Sequence, residues 1–202
     1  YLQPDRRDKA AIRREWFRDI GCDGLIALSG ARQGDVGEAL AAGNDALAKK
    51  RAEAWARLFP DAYYLEVQRY GQPQQEAQVQ AVAGLAGALG LPLVATHPTQ
   101  FMVREDFQAH EARVCIAEGY VLGDTRRPRA FTEEQYFRSQ AEMAALFADL
   151  PEALENALEI AKRCNIELTL GKNFLPDFPT PEGMDLNDYL VRLAKEGLEK
   201  RL

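Results

Sequence analysis

The first hundred residues alternate short apolar runs with longer stretches of helical periodicity. Three apolar runs have the length and the flanking turn residues of buried strands: residues 24–30, 62–68 and 91–96. Between them, residues 34–59 and 73–89 show helical patterns, with a break at Gly43-Asn44 in the first and Gly90 as the C-cap of the second. This order of strands and helices predicts right-handed crossovers and a parallel sheet, either open or closed into a barrel.

The ends of the three predicted strands are the places where functional groups are expected. In open parallel sheets and in β/α barrels alike, such groups collect at the C-terminal ends of the strands. In this chain these ends are residues 29–32, 66–70 and 97–100. A binding or catalytic site in the first half is therefore expected to draw on these three segments.

The second half predicts helices joined by loops. Four helices are expected to begin near residues 106, 132, 151 and 186. Thr132 with Gln135 has the signature of a capping box, and Pro151 suits the first turn of the third helix. The apolar stripes of the last three helices are expected to form core contacts: Tyr136, Met143, Phe147 and Leu150; then Leu154, Leu158 and Ala161; then Tyr189, Leu190, Leu193 and Leu198. Residues 171–181 are expected to be irregular.

Composition and charge narrow the classes of function. The chain has 202 residues, 47% of them hydrophobic, which is enough for one sizeable core. Its net charge of −6 disfavours a role as the main grip on nucleic acid, because phosphate-binding surfaces are normally basic. Three widely spaced cysteines and the lack of a long apolar run fit a reducing cytosol and no membrane span. The missing initiator Met and the helical pattern at the C-terminus suggest a piece of a longer protein.

The sequence offers few residues that could form a catalytic or metal-binding site. A catalytic metal site needs about three converging protein ligands, and Glu66, His97 and His110 are the candidates near the strand ends. The sequence favours a hydrogen-bonded loop residue for His97 and a satisfied helical residue for His110. The glycine-rich residues 30–37 lack the Lys and Ser/Thr of a phosphate-binding loop, so a tight turn is favoured over an anion site. Three arginines in a basic loop could contact DNA phosphates or simply be solvated: Arg126, Arg127 and Arg129.

Several segments resemble one family. Residues 28–37, LSGARQGDVG, resemble the S-G-x-R-x-G-D-V-G segment of the polymerase III alpha subunits of proteobacteria. The family pattern continues in register at residues 59–66, 91–96, 106–111, 127–129, 146–154, 159–165 and 174–180. The resemblance covers nearly the whole chain from about residue 24, and residues 1–23 match less clearly.

The resemblance implies a fold and a setting. It implies an α/β fold, an incomplete distorted β/α barrel of the PHP (polymerase and histidinol phosphatase) type over residues 1–168. The helices of residues 169–202 would lead into the polymerase palm. The whole protein would be a Mg²⁺-dependent, DNA-directed DNA polymerase of the cytoplasm. Its partners would be DNA, the proofreading exonuclease subunit, the sliding clamp and the clamp loader, and no membrane. The resemblance places no polymerase catalytic residue and no cofactor in this segment.

The departures from the family pattern concern metal binding. The resemblance implies that members of this family that bind metal carry a Cys after Ser-Gly and the motif Asn-Asp-x-His after the third strand. Here Ala31 stands at the Cys position, Pro98 at the Asp position and Gln100 at the His position. Alanine and proline side chains cannot ligate a metal, and glutamine is a poor ligand for transition metals. His97 lies one position before the Asp site and would be a weak substitute. We therefore expect no metal site and no phosphoesterase activity.

Three hypotheses remain open at this point. The first is a metal-free PHP scaffold that supports a replicative polymerase and docks its exonuclease subunit. The second is a metal-dependent phosphoesterase, acting as a proofreading nuclease or as a pyrophosphatase. The third is an unrelated small-molecule β/α-barrel enzyme, which the continuous motif register disfavours. The metal content of the whole protein would separate the first two.

Overall fold

The computed structural model describes residues 12–173, 178–181 and 183–201. These residues form two compact units that divide after Asn165. The division lies close to the predicted end of the PHP-like segment at residue 168. The assignment of the following residues to a palm domain stays a prediction. Part of the motif at residues 174–180, namely residues 174–177, lies outside the described residues.

A parallel sheet of three strands forms the centre of the first unit. The strands are β1 (Ala27–Leu28), β2 (Tyr63–Gln68) and β3 (Leu93–Thr96), in the order β1-β2-β3. Ala27 lies opposite Tyr63, and Leu65 lies opposite Leu93. The predicted α/β class with a parallel sheet is confirmed, whereas closure into a distorted barrel stays a prediction. β1 is shorter than predicted because Leu25 closes a turn onto the carbonyl of Cys22.

Seven helices are described in the first unit together with this sheet. They are α1 (Arg14–Ile20), α2 (Asp35–Ala41), α3 (Asp45–Leu58), α4 (Gln75–Leu89), α5 (Phe107–Glu118), α6 (Gln140–Leu146) and α7 (Pro151–Arg163). The predicted break between α2 and α3 is confirmed. Gly43 there has a φ of +70°, and the Asn44 side chain caps α3 by accepting a hydrogen bond from the Leu47 amide at 3.1 Å. Gly90 ends α4 in the left-handed conformation, as predicted.

The core lies between the sheet and the helices that cover it. Leu65 at the centre of β2 and Ala48 and Ala52 on α3 are fully buried, as is Phe147 just after α6. Small alanines let the backbone of α3 approach its neighbours closely. Asn156 on α7 donates to the Leu93 carbonyl at 2.7 Å and so ties that helix to β3. The predicted contact stripe of α7 is wrong at Leu158, which is 58% exposed, since the helix packs through Ala153.

The helix predicted to begin at Thr132 does not form there. The Gln135 side chain does accept from the Thr132 amide at 2.9 Å, but the Thr132 hydroxyl donates to the carbonyl of Tyr70 instead of capping a helix. Tyr136 lies in an extended stretch that pairs with Phe101. The true capping box is that of Ser139 and Glu142, which begins α6.

The second unit contains one described helix, α8 (Leu186–Glu199). Asp185 caps it by accepting from two backbone amides, at 2.6 Å and 2.9 Å. The rings of Phe178 and Tyr189 lie 6.0 Å apart. The predicted stripe on this helix is largely exposed, with Leu190 at 66%, so the expected core contacts are not made by the described residues. No helix in the described part of the chain is long and apolar enough to span a membrane.

Candidate functional site

The turn after β1 is built on glycines that approach the backbone closely. Gly30 has a φ of +76°, which suits a residue without a side chain, and a short 3₁₀ turn then leads into α2. A Cβ added at Gly34 would lie 1.7 Å from the Ser29 carbonyl oxygen, and one at Gly37 would lie 1.9 Å from that of Ala31. The glycines therefore serve the tight strand-to-helix turn that the sequence favours.

Polar side chains at the strand ends bond to one another. Gln68 at the end of β2 donates to the Glu66 carboxylate at 3.1 Å and to the Thr96 hydroxyl of β3 at 2.9 Å. The Thr96 hydroxyl in turn donates to Glu66. The Ser29 hydroxyl oxygen, just after β1, accepts from the Glu66 amide at 2.8 Å. The Glu66 carboxylate is thus buried and already hydrogen-bonded within the sheet.

The three positions at which the family resemblance places metal ligands follow the two outer strands of the sheet, Ala31 after β1 and the other two after β3. Ala31 lines a cavity together with Glu66, and neither Pro98 nor Gln100 is among the described residues that line it. Pro98 and Gln100 lie on the loop after β3, whose backbone is held by Gln135. The Gln135 side chain donates to the Pro98 carbonyl at 3.1 Å. The backbone carbonyl of Gln135 accepts from the Gln100 amide at 2.8 Å.

His97 follows β3, and it is hydrogen-bonded through its backbone carbonyl, which accepts from the Thr99 amide at 2.9 Å. Both of its ring nitrogens are buried without a hydrogen-bond partner among the described residues. Burial lowers the pKa of His97, and the neighbouring Arg138 guanidinium lowers it further, while the backbone at Tyr136 and Glu134 acts in the opposite direction. The neutral form of the ring is therefore favoured more than in an exposed histidine.

His110 lies on α5 within an aromatic cluster. Its ring centroid is 5.4 Å from that of Phe101 and 4.7 Å from that of Phe131. Its Nδ1 lies 3.3 Å from Nη2 of Arg113, and its Nε2 is buried with no partner in the described part of the chain, so the expectation of a satisfied residue holds for one nitrogen only. Burial, and then Arg113, lower the pKa of His110. The packing of its ring indicates a structural role.

The donor set does not fit a catalytic metal ion. Within the described ranges, no group of three or more His, Cys, Asp or Glu side chains is placed to share one ion. Ala31 presents a methyl group beside Glu66, and the remaining polar neighbours of that carboxylate are an amide and a hydroxyl. A divalent transition metal needs several anionic or imidazole ligands converging on one point.

The three arginines predicted as DNA contacts differ in their surroundings. Arg127 is 9% exposed and forms a buried ion pair with Glu111, so its guanidinium is occupied within the protein. This hydrogen bond to Glu111 raises the pKa of Arg127. Arg126 is exposed and forms a bidentate pair with Asp124, at 2.8 Å and 3.0 Å. Arg129 is exposed and forms no ion pair with a described residue.

Comparisons with known proteins agree with the motif pattern. A family model described as the PHP domain matches residues 1–70. The chain is 56% identical over its whole length to DNA polymerase III subunit alpha of Neisseria meningitidis serogroup A. It is 52% identical over its whole length to that of Pseudomonas aeruginosa. It is 51% identical over 95% of its length to that of Escherichia coli K12.

The chain spans a minor part of these relatives. It covers 18%, 17% and 16% of the Neisseria, Pseudomonas and Escherichia proteins, respectively. The identity nevertheless runs through both units of the structure and is not limited to the part that the PHP model matches. The chain is therefore similar to one region of these DNA polymerase III alpha subunits, and its residues 1–70 match the PHP domain model.

Proposed function

We propose that this chain is a metal-free PHP scaffold within a bacterial replicative DNA polymerase. The observation that carries the proposal is the chemistry at the strand ends. Ala31, Pro98 and Gln100 stand where metal-binding relatives would have ligands, and Glu66 is engaged by Gln68 and Thr96. A site without converging ligands cannot activate a water molecule for hydrolysis of a phosphoester. What remains is a folded domain whose contribution is architectural.

The activity of the whole protein belongs to the same proposal. The relatives are named DNA polymerase III subunit alpha, and we assign DNA-directed DNA synthesis to the complete polypeptide. Its Mg²⁺ ions would be held by residues outside this chain. The proposed partners are DNA, the proofreading exonuclease subunit, which the scaffold would dock, the sliding clamp and the clamp loader. A cytoplasmic location follows from this assignment, since bacterial DNA is replicated there.

The test is the metal content of the full-length protein together with a phosphodiester hydrolysis assay. We expect far less than one equivalent of zinc, manganese or iron, and no hydrolysis that a chelator abolishes. The matched control is the triple variant A31C/P98D/Q100H, which restores a ligating side chain at each replaced position. Any gain of metal by this variant would show that the assay detects a rebuilt site.

Stoichiometric metal in the unaltered protein, with chelator-sensitive hydrolysis, would contradict the scaffold proposal. It would support the phosphoesterase hypothesis and give His97 a ligand role. In that case the H97A variant should lose both the metal and the hydrolysis.

A further inference from the structure

A polar groove opens beside the turn that follows β1. Its walls come from that turn, from the loop between β2 and α4, and from the loop after Pro128. Arg32 lies on the first wall, Gln72 and Gln74 on the second, and Arg129 on the third. The groove has a volume of about 590 Å³, which is ample for a nucleotide unit. Residues 32 and 129 are far apart in sequence and meet only through the fold.

The groove carries a positive charge that the protein does not neutralise. Neither Arg32 nor Arg129 forms a hydrogen bond or an ion pair with a described residue. Their neighbours Arg126 and Arg127 are by contrast paired with acidic side chains. Glu38 is the only carboxylate among the described lining residues, so the two arginines leave one positive charge in excess.

The walls of the groove are held in place by hydrogen bonds. The Gln72 side chain donates to the Ala130 carbonyl at 3.1 Å, and the Thr132 hydroxyl donates to the Tyr70 carbonyl. Gln75 accepts from the Tyr70 amide at 2.6 Å. Arg32 lies on the turn whose glycines admit no side chain. Arg129 thus stands next to a loop that is fixed to the loop after β2, and Arg32 stands on a closely packed turn, and a fixed backbone lowers the ordering cost of binding an anion.

We propose that this groove binds the sugar–phosphate backbone of DNA, with Arg32 and Arg129 each contacting a phosphate. The inference rests on the proposed function, which makes DNA the available polyanion. The planar guanidinium matches phosphate oxygens bidentately. The lining is mostly amide and charged groups, whereas a protein partner would need an apolar centre to bind firmly. Phosphate contacts read no base, so the binding is independent of sequence.

The test measures DNA affinity of the full-length protein over a range of salt concentrations. The probe is a fluorescent primer–template duplex with a single-stranded overhang, in the presence of a chelator. We expect R32A/R129A to weaken binding by roughly fivefold at moderate salt, and to reduce the slope of log K against log salt by about one per arginine. The matched control is R18A/R57A, which removes two exposed, unpaired arginines that do not line the groove.

A second variant changes the affinity in the opposite direction. E38Q removes the single carboxylate of the groove and should tighten DNA binding by roughly twofold with no loss of folding. The proposal is overturned if R32A/R129A behaves like R18A/R57A, or if E38Q leaves the affinity unchanged. It is also overturned if R32A/R129A weakens binding of the exonuclease subunit but not of DNA. These outcomes leave the metal measurement unaffected, so the two proposals fail separately.

Discussion

His97 shows how a single residue can carry a pH dependence through burial. Its folded pKa lies below the usual value of about 6.5, so the unfolded chain takes up a proton more readily than the folded one. The stability this provides is fully present above the unfolded pKa and is lost as the pH falls below it toward the folded pKa. We therefore expect the protein to lose stability as the pH falls below about 6.5, the usual pKa of histidine.

The H97F variant tests this dependence because phenylalanine keeps a buried ring and cannot titrate. It should flatten the decline of the melting temperature over that pH range. H110F serves as the comparison, since the pKa of His110 is also lowered by burial and the chain has only two histidines. A decline that is equally steep in the H97F/H110F protein would assign the effect to carboxylates instead.

At the scale of elements, the turn between β1 and α2 depends on the absence of a side chain at Gly34. A methyl group there would collide with the Ser29 carbonyl oxygen. Because this oxygen belongs to the backbone, it cannot move aside without distorting the turn. We expect G34A to lower the free energy of unfolding by about 3 kcal/mol or more.

The control for that variant is G84A on α4. No atom lies within 4 Å of a Cβ added at Gly84, so alanine there should stabilise the helix by about 0.5–1 kcal/mol. Chemical denaturation of the two variants side by side gives the measurement. Similar stabilities for G34A and the unaltered protein would contradict the close approach.

The ion pair of Arg127 and Glu111 joins α5 to the loop after it. Both side chains are buried, so removing one leaves the other charge without its partner. We expect R127M and E111M each to destabilise the protein, and R127M/E111M to do so less than their sum. R126M, which removes an exposed pair, should have little effect. Additive losses in this double-mutant cycle would contradict the coupling of the two groups.

On the scale of the whole molecule, net charge and local charge point in opposite directions. The chain carries −6 overall, and Arg69 just after β2 is paired with Glu76 and Asp149, whereas Arg32 and Arg129 in the groove form no ion pair with a described residue. Under the proposals above, the net negative charge of this segment would not by itself attract DNA from a distance. The proposed groove would then contact a phosphate backbone that another part of the full-length protein has brought near. The groove would therefore strengthen DNA binding that other parts of the full-length protein provide.

The sequence by itself determined the elements and their order. Apolar runs predicted β2 and β3 closely, Gly90 predicted the end of α4, and the motif at residues 28–37 indicated the family. These features depend on neighbours within a few residues, which local patterns report well. The same holds for the replacements at Ala31, Pro98 and Gln100, which are identities and need no coordinates.

Tertiary structure alone decided which partners Thr132 and the arginines bond to. Thr132 carries a capping signature, but its hydroxyl bonds to a carbonyl on the loop after β2, and the helix begins later. Arg127 and Arg129 are two residues apart, yet the first is buried in an ion pair with Glu111 and the second lines the same groove as Arg32. Each outcome depends on a partner brought close by the fold from far along the chain. Patterns of nearby residues do not encode such partners.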